Sequence, residues 1–172
     1  MDTYVEFIIK KQRTLKDNLI SAGVVLLAFL LCIYITPLAY FRFTGIIFLL
    51  PAIIFGIMFG AYKVITSRNI EFEYLLTGGD LDIDKIFNRS SRKRLISLRR
   101  RETEIIAPKG SVRLPAEDSV DKVIDATSGR TDAKVFGVVA NKEGERILVY
   151  FEPTEKMLNQ YDQKIHQKVF MD

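Results

Sequence analysis

Two long apolar runs without a charged side chain occupy the first part of the chain. Residues 18–41 and 43–62 contain no Asp, Glu, Lys or Arg, and only Arg42 separates the runs. A helix rises about 1.5 Å per residue, so roughly 20 such residues cross the hydrocarbon core of a bilayer. In lipid, the backbone of an isolated span must satisfy its own hydrogen bonds, which requires a helix. The pattern predicts a transmembrane helical hairpin over residues 18–66, with spans at about 19–36 and 44–62.

The connection between the spans and their orientation follow from the flanking residues. Pro37 and residues 38–43 are predicted to form the turn. Cytoplasmic flanks carry more Lys and Arg than external ones. The turn has only Arg42, whereas the two opposite span ends are flanked by Lys10, Lys11, Arg13, Lys16, Lys63 and Arg68. The sequence therefore predicts a multi-pass plasma-membrane protein with both termini in the cytoplasm.

Residues 1–17 are predicted to form a separate cytoplasmic segment ahead of the first span. Apolar side chains at positions 4–9 precede the basic stretch from Lys10 to Lys16. Such a segment is typical of a short amphipathic helix lying on the inner leaflet. A simple extension of the first span is the alternative.

From Ile70 onward the period of the apolar positions changes from helical to two. Phe72 and Tyr74 alternate with Glu71 and Glu73, which is the pattern of a half-buried strand. The following Gly78-Gly79 pair predicts a turn, because glycine adopts positive φ without strain. Further short strands are predicted at residues 81–87, 93–98, 102–107, 119–126, 134–140 and 145–151.

The last part of the chain returns to a helical period. Met157, Leu158, Tyr161 and Ile165 share one face of a helix that begins near residues 153–155. Curling a small sheet into a barrel and closing its open end with this helix would cover the sheet edges. The expected fold is a membrane α-helical hairpin plus an α+β, mainly β, domain over residues 70–172. In that domain, about seven short antiparallel strands form a partly open barrel capped by the C-terminal helix.

Two short runs carry a resemblance to known proteins. Residues 73–83, with the sequence EYLLTGGDLDI, resemble the first hairpin of bacterial membrane-attached pleckstrin-homology-like (PH-like) domains. The opening MDTYVE and the run LDIDKI at residues 81–86 are similar to a family of small two-span membrane proteins from Gram-positive bacteria. These motifs are structural, so the resemblance implies a fold and transfers no catalytic or ligand residues.

A dense basic cluster lies in the predicted third strand and beside it, and no acid occurs between Asp84 and Glu102. Basic residues near an anionic leaflet contribute about 1 kcal/mol each, and arginine grips phosphate through paired donors. The candidate contacts for anionic lipid headgroups or a partner are Arg89, Arg92, Lys93, Arg94, Arg99, Arg100 and Arg101.

Two other interpretations of this cluster stay open. It is equally a solvated hairpin edge that discourages strand pairing and is partly neutralised by Asp82, Asp84, Glu102 and Glu104. It is less suited to a protein or nucleic-acid partner. No aromatic residue interleaves the cluster for base stacking, so no nucleic acid is expected as a ligand.

The second span carries small residues four positions apart at Ala52, Gly56 and Gly60. They make a flat helix face that another backbone can approach closely. Packing against the small residues Ala22, Gly23 and Ala28 of the first span is the favoured interpretation, and a homodimer or a membrane-protein partner is the alternative. Neither span holds an ionisable residue, which argues against a transporter.

The chain offers little material for catalysis or metal binding. Cys32 is the only cysteine and His166 the only histidine, so neither a disulfide nor a thiolate site is expected. Asp80, Asp82 and Asp84 share a strand face but lack the spacing of a calcium loop. No catalytic residue, metal or cofactor is therefore predicted.

The sequence favours a non-enzymatic, membrane-bound interaction module. Its β domain would bind a protein partner or lipid headgroups. A structural subunit that acts through the glycine face of the second span is the alternative, and an enzyme carries the least weight.

Overall fold

The computed structural model describes residues 4–42, 44–165 and 168–170, apart from the side chains at positions 42, 44 and 46. The chain forms two compact units. One is the helical segment Arg13–Asn69, and the other combines the chain up to Gln12 with the chain from Ile70 onward.

The helical unit contains α1 (Leu15–Arg42), a 3₁₀ helix (Thr44–Leu49) and α2 (Leu50–Thr66). Two stretches, Leu15–Phe41 and Ile47–Thr66, are long and apolar enough to cross a membrane. A capping box begins α1. The Thr14 backbone N–H donates to Asp17 Oδ2 (3.1 Å), and the Asp17 N–H donates to Thr14 Oγ1 (3.2 Å).

The predicted turn over residues 38–43 is wrong as far as residue 42, because α1 continues through Pro37 to Arg42. Position 43 lies outside the described residues. One proline removes a single helical hydrogen bond, and an apolar chain gains more from keeping the remaining ones. The connection instead falls on the 3₁₀ helix, which occupies the start of the predicted second span. Pro51 then lies in the first turn of α2, where a missing N–H costs nothing.

The two helices pack against each other through different kinds of side chain. The least exposed residues of α1 recur every three or four positions and are mostly small. Besides Asp17 in the first turn, they are Ser21, Val24, Ala28, Cys32, Ile35 and Ala39. The half-buried residues of α2 are mostly isoleucines, namely Ile53, Ile54, Ile57 and Ile65, together with Ala61 and the terminal residues Leu50 and Thr66. The small side chains of α1 thus leave space in which the branched side chains of α2 pack.

The β unit contains eight strands and one helix. They are β1 (Tyr4–Lys10), β2 (Ile70–Thr77), β3 (Asp80–Phe87), β4 (Ser91–Leu98), β5 (Thr103–Pro108), β6 (Lys122–Asp125), β7 (Phe136–Lys142), β8 (Glu145–Phe151) and α3 (Glu155–Lys164). The first sheet has the order β1-β2-β3-β4, and the second has the order β5-β7-β8-β6. Every strand and the final helix predicted from the sequence are present, and the fold is PH-like with two open sheets and no closed barrel.

The predicted N-terminal amphipathic helix is wrong, because residues 4–10 form β1. This strand pairs antiparallel with β2, and Val5 faces Leu76 while Ile9 faces Phe72. Val5 and Ile9 are buried in the core. Apolar residues at positions 4, 5 and 7–9 fit a period of two as well as a helical one, and the open edge of β2 decides between them. The folded β unit therefore includes residues ahead of the hairpin as well as those after Ile70.

The core lies between the two sheets and is closed by α3. Tyr74, Ile83 and Leu98 of the first sheet belong to one buried cluster with Val138 and Phe151 of the second. Met157 and Tyr161 of α3 complete it. The strands are not all antiparallel as predicted, since β6 pairs parallel with β8. The long connection from β5 to β6 makes that direction possible, as a short hairpin would not.

A loop covers the outer face of the second sheet. Val139, Leu148 and Tyr150 form a small cluster there with Leu114 from the loop between β5 and β6. Gly137 lies directly beneath it, and a Cβ at this position would approach Leu114 Cδ1 to 2.7 Å. A larger residue at position 137 would therefore force the Leu114 side chain to move.

Candidate binding surfaces

The basic cluster follows the open edge of the first sheet. Arg89 lies in the turn between β3 and β4 with positive φ (56°), and Arg92, Lys93 and Arg94 lie on β4. Residues 99–101 make the connection from β4 to β5. Because β4 ends the strand order of its sheet, all seven residues lie along one edge.

Arginines of this cluster are paired with acids of the same sheet. Arg92 contacts Glu73 at 2.9 Å, and Arg94 contacts Asp82 at 2.7 Å and also Asp84. The other two pairs are Arg89 with Glu71 at 3.2 Å and Arg99 with Asp80 at 2.9 Å. These four arginines are engaged by neighbouring strands.

The strand register explains why the acids need these arginines. Glu73 lies opposite Asp84, and Asp84 lies opposite Arg94, so two buried carboxylates are adjacent on one face. Glu73 is only 1% exposed and Asp84 only 3%. Burial raises the pKa of Glu73, and the guanidinium of Arg92 opposes this rise. We call the outward face that carries Glu73, Asp84, Arg92 and Arg94 the arginine face.

The opposite side of the same strands carries a different set of charges. Lys93 lies directly opposite Lys85, and the charge of Lys11 also acts on Lys85. Burial lowers the pKa of Lys85, and Lys11 and Lys93 lower it further. Among the described residues, none of these three lysines has a carboxylate within 4.0 Å. We call Lys11, Lys85 and Lys93 the lysine trio.

Sequence reasoning included Lys93 in the basic cluster but missed the other two members of the trio. A hairpin that turns at residues 88–90 pairs positions 85 and 93, so the place of Lys85 opposite Lys93 could have been predicted from the alternation alone. The place of Lys11 could not have been predicted in this way, because Lys11 follows β1 and reaches the trio only when β1 pairs with β2.

The last three residues of the basic cluster line a groove at the end of β4. Arg99, Arg100 and Arg101 surround it with Asp80, and its volume is about 370 Å³. The Arg100 N–H donates to Asp80 Oδ1 at 2.8 Å. Burial alone would raise the pKa of Asp80, but this N–H and Arg99 outweigh it and lower the pKa. The Arg100 side chain lies over Gly79, where an added Cβ would approach Arg100 Cδ to 3.0 Å.

The glycine face of the second span is open in the structure. Ala52, Gly56 and Gly60 are exposed, and a Cβ added at either glycine would meet no atom within 4 Å. Of the small residues expected to pack against this face, Ala28 is buried, whereas Ala22 and Gly23 are exposed. The contact surface of α2 is its isoleucine face, adjacent to the glycine face on the same helix.

The remaining candidate groups stay separate from these surfaces. Within the described part of the chain, no group of three or more His, Cys, Asp or Glu is placed to hold a metal ion. Asp80, Asp82 and Asp84 are each paired with an arginine. Cys32 is half-buried in α1, and His166 lies outside the described residues.

Two facing sheets closed by a C-terminal helix define a PH-like domain, and the same chain contains a pair of helices long and apolar enough to cross a membrane. A family model described as "Bacterial PH-like domain (DUF6106)" matches residues 1–171, and the chain belongs to this family. No curated protein and no solved structure matches the chain.

Proposed function

We propose that the chain is a non-enzymatic interaction module that the helical hairpin holds at the inner surface of the plasma membrane. Its PH-like domain binds anionic lipid headgroups or a protein partner there. Membership of a PH-like family supports a binding role, and the two apolar helices support attachment to a membrane.

The order of the strands supports a single location for the whole β unit. β1 precedes the hairpin and β2 follows it, and the two strands are hydrogen-bonded neighbours. The Lys11 N–H also donates to the Ile70 C=O at 2.9 Å. We therefore expect both ends of the hairpin to lie on the same side of any membrane that it enters.

The distribution of basic residues favours the cytoplasm as that side. Six Lys or Arg flank the paired ends of the hairpin, against Arg42 at the other end. We expect protease added to intact cells to leave the β unit whole and to digest it after the cells are opened. Digestion of the β unit in intact cells would contradict this orientation.

The observation that carries the lipid-binding proposal is the lysine trio. Lys93 faces Lys85, the charge of Lys11 acts on Lys85, and no carboxylate of the described residues contacts the three. This arrangement is unfavourable for folding, so another role explains it better. Near an anionic leaflet each contributes about 1 kcal/mol, so the trio is worth roughly a hundredfold in affinity.

The test uses a chain in which a short Gly-Ser loop replaces residues 13–69 and the strand β1 is retained. Binding to vesicles with anionic lipid is measured by co-sedimentation, and the fold is checked by hydrogen-exchange protection of core amides. Changing Lys11, Lys85 and Lys93 to Gln should weaken binding about a hundredfold. The matched control changes the exposed Lys122, Lys134 and Lys156 to Gln. Equal effects of the two triple variants would remove the lipid-binding proposal.

A second candidate is a subunit that assembles through the glycine face of α2. The open space over Gly56 and Gly60 favours it, since no other part of the described chain fills that space. Gly56→Leu with Gly60→Leu should break a membrane complex measured by size in mild detergent. Ala22→Leu with Gly23→Leu is the matched control on the exposed face of α1. An unchanged complex size in the first variant would count against assembly.

A further inference from the structure

A short segment after α3 adds a further strand contact to the second sheet. The Ile106 N–H donates to the Lys168 C=O at 2.7 Å, and the Phe170 N–H donates to the Ile106 C=O at 2.8 Å. These two bonds make a parallel bridge between Ile106 and Val169. Because β5 ends the strand order of its sheet, residues 168–170 occupy an edge that would otherwise be open. We call residues 168–170 the tail.

Each tail residue makes a distinct contact. Lys168 Nζ donates to the Thr103 C=O at 2.6 Å, and Val169 packs against the main core. The Phe170 ring lies 3.8 Å from Arg113 Cζ, in a cation–π contact. The edge of β5 thus receives a basic residue, a β-branched apolar residue and an aromatic residue in succession.

A cavity lies at the C-terminal end of β5. The tail runs parallel to β5, so an extended chain that follows it is directed toward Pro108 at the end of that strand. Pro108 lines a cavity of about 480 Å³ together with Phe136, Leu158 and Glu155. A longer extended peptide would reach apolar contacts there that residues 168–170 do not make.

We infer that the edge of β5 is a strand-addition site for an extended peptide of a partner protein, which the chain's own tail fills in this structure. The peptide would present basic, β-branched and aromatic residues in that order and would continue into the cavity beside Pro108. This inference rests on the proposed role as an interaction module and names its protein partner by chemistry. In such sites, main-chain hydrogen bonds supply affinity and side-chain pockets supply specificity.

The tail is suited to exchange with such a peptide. Among the described residues, it is held by two backbone hydrogen bonds to β5, one lysine contact, one aromatic contact and the packing of the single side chain of Val169 on the core. Segments with so few contacts open at a small fraction of the free energy needed for global unfolding. A partner peptide that also fills the cavity gains contacts that the tail lacks.

The experiment uses the full chain in nanodiscs of zwitterionic lipid and a fluorescent peptide with the sequence of residues 165–172, IHQKVFMD. Val169→Asp places a charge against the core and releases the tail, whereas Val169→Ile keeps it docked. Anisotropy should show at least tenfold tighter peptide binding to the Asp variant than to the Ile variant or the parent chain. A peptide N-methylated at the phenylalanine cannot donate to Ile106 and should bind at least tenfold more weakly.

Hydrogen exchange shows whether the Asp variant stays folded. The Ile106 amide faces the tail, so its protection should fall when the tail is released, while Ile105 and Ala107 face β7 and should stay protected. Absence of peptide binding to such a folded, released variant would overturn the inference, and so would equal binding of the methylated peptide. A dimer formed by exchange of tails between two copies would overturn it too, because the edge would then serve the chain itself.

The result is independent of the lipid-binding test. The chain with Lys11, Lys85 and Lys93 changed to Gln, with Val169→Asp added, should bind the peptide as well as the single Asp variant does. Peptide binding with no effect of the trio on vesicles would retain the interaction module and remove only its lipid ligand. Vesicle binding without peptide binding would remove only the inference about β5.

Discussion

The arginine face and the lysine trio lie on opposite sides of the first sheet, yet their charges are arranged in opposite ways. On the arginine face, Arg92 and Arg94 meet acids that the sheet buries. On the other side, Lys93 meets Lys85. Cations of the first kind stabilise the fold, whereas those of the second kind oppose it. A high local charge therefore marks a binding surface only where the fold leaves the charge uncompensated.

The largest effect should come from removing one partner of a buried acid. Arg92→Ala leaves Glu73 buried without its cation, and we expect a loss of about 1–2 kcal/mol in the free energy of unfolding. This is below the usual cost of breaking a buried pair, because Arg92 is itself 56% exposed. The measurement is hydrogen exchange at core amides of the full chain in detergent.

Arg89→Ala is the matched control for this prediction. Arg89 is 81% exposed and its partner Glu71 is less buried than Glu73, so the loss should be below about 0.5 kcal/mol. Adding Glu73→Gln to Arg92→Ala should recover most of the larger loss, since the buried carboxylate that lost its cation is then neutral. Equal losses for the two arginines would contradict the assignment of Arg92 to the fold.

The two acids Glu73 and Asp80 should respond to pH with opposite signs. Burial raises the pKa of Glu73, so its favourable contribution is complete below about pH 4 and is lost as pH rises through the folded-state pKa. The pKa of Asp80 is lowered, so its contribution is present above about pH 4 and is lost as pH falls through the folded-state pKa.

Two variants measure these signs separately. Glu73→Gln should become more stable relative to the parent chain as pH rises from 4 to 7. Asp80→Asn should be less stable than the parent at pH 7, and this difference should shrink below pH 4. Parallel pH profiles of unfolding free energy for the two variants would show that the two environments do not differ as described.

The smallest effect should come from the lysine trio and should have the opposite sign to that of Arg92. Lys85→Gln removes a repulsion with Lys93 and Lys11, so the β unit should gain about 0.5 kcal/mol or less at low salt. Salt at 1 M shortens the Debye length to about 3 Å and should abolish the gain. A loss of stability at low salt would place Lys85 with the structural cations.

Much of the fold follows from periodicity, and the exceptions have identifiable causes. The alternation in β2 and β3 and the helical face of α3 are strong local signals. β1 is ambiguous because its partner, β2, lies about sixty residues away across the hairpin. The helix through Pro37 was missed because proline commonly ends a helix. In an apolar segment, a single proline does not outweigh the demand for backbone hydrogen bonds, and the helix continues.

The candidate site shows the same division. A run of basic residues without acids is visible in the sequence as one cluster around β4. Its separation into two faces depends on Glu71 and Glu73, which come from β2, and on Lys11, which follows β1. Long-range pairing, and not the charge run itself, decides which cations remain uncompensated.

The central proposal is that the β unit, and not the pair of apolar helices, makes the contacts that matter in the cell. The most direct measurement places a photoreactive residue at position 93 in the trio, at position 122 as an exposed control, and at position 56 on the glycine face, in the full chain in native membranes. The account predicts lipid or protein adducts from position 93 well above those from position 122. Specific adducts from position 56 alone would contradict it and would transfer the function to the hairpin.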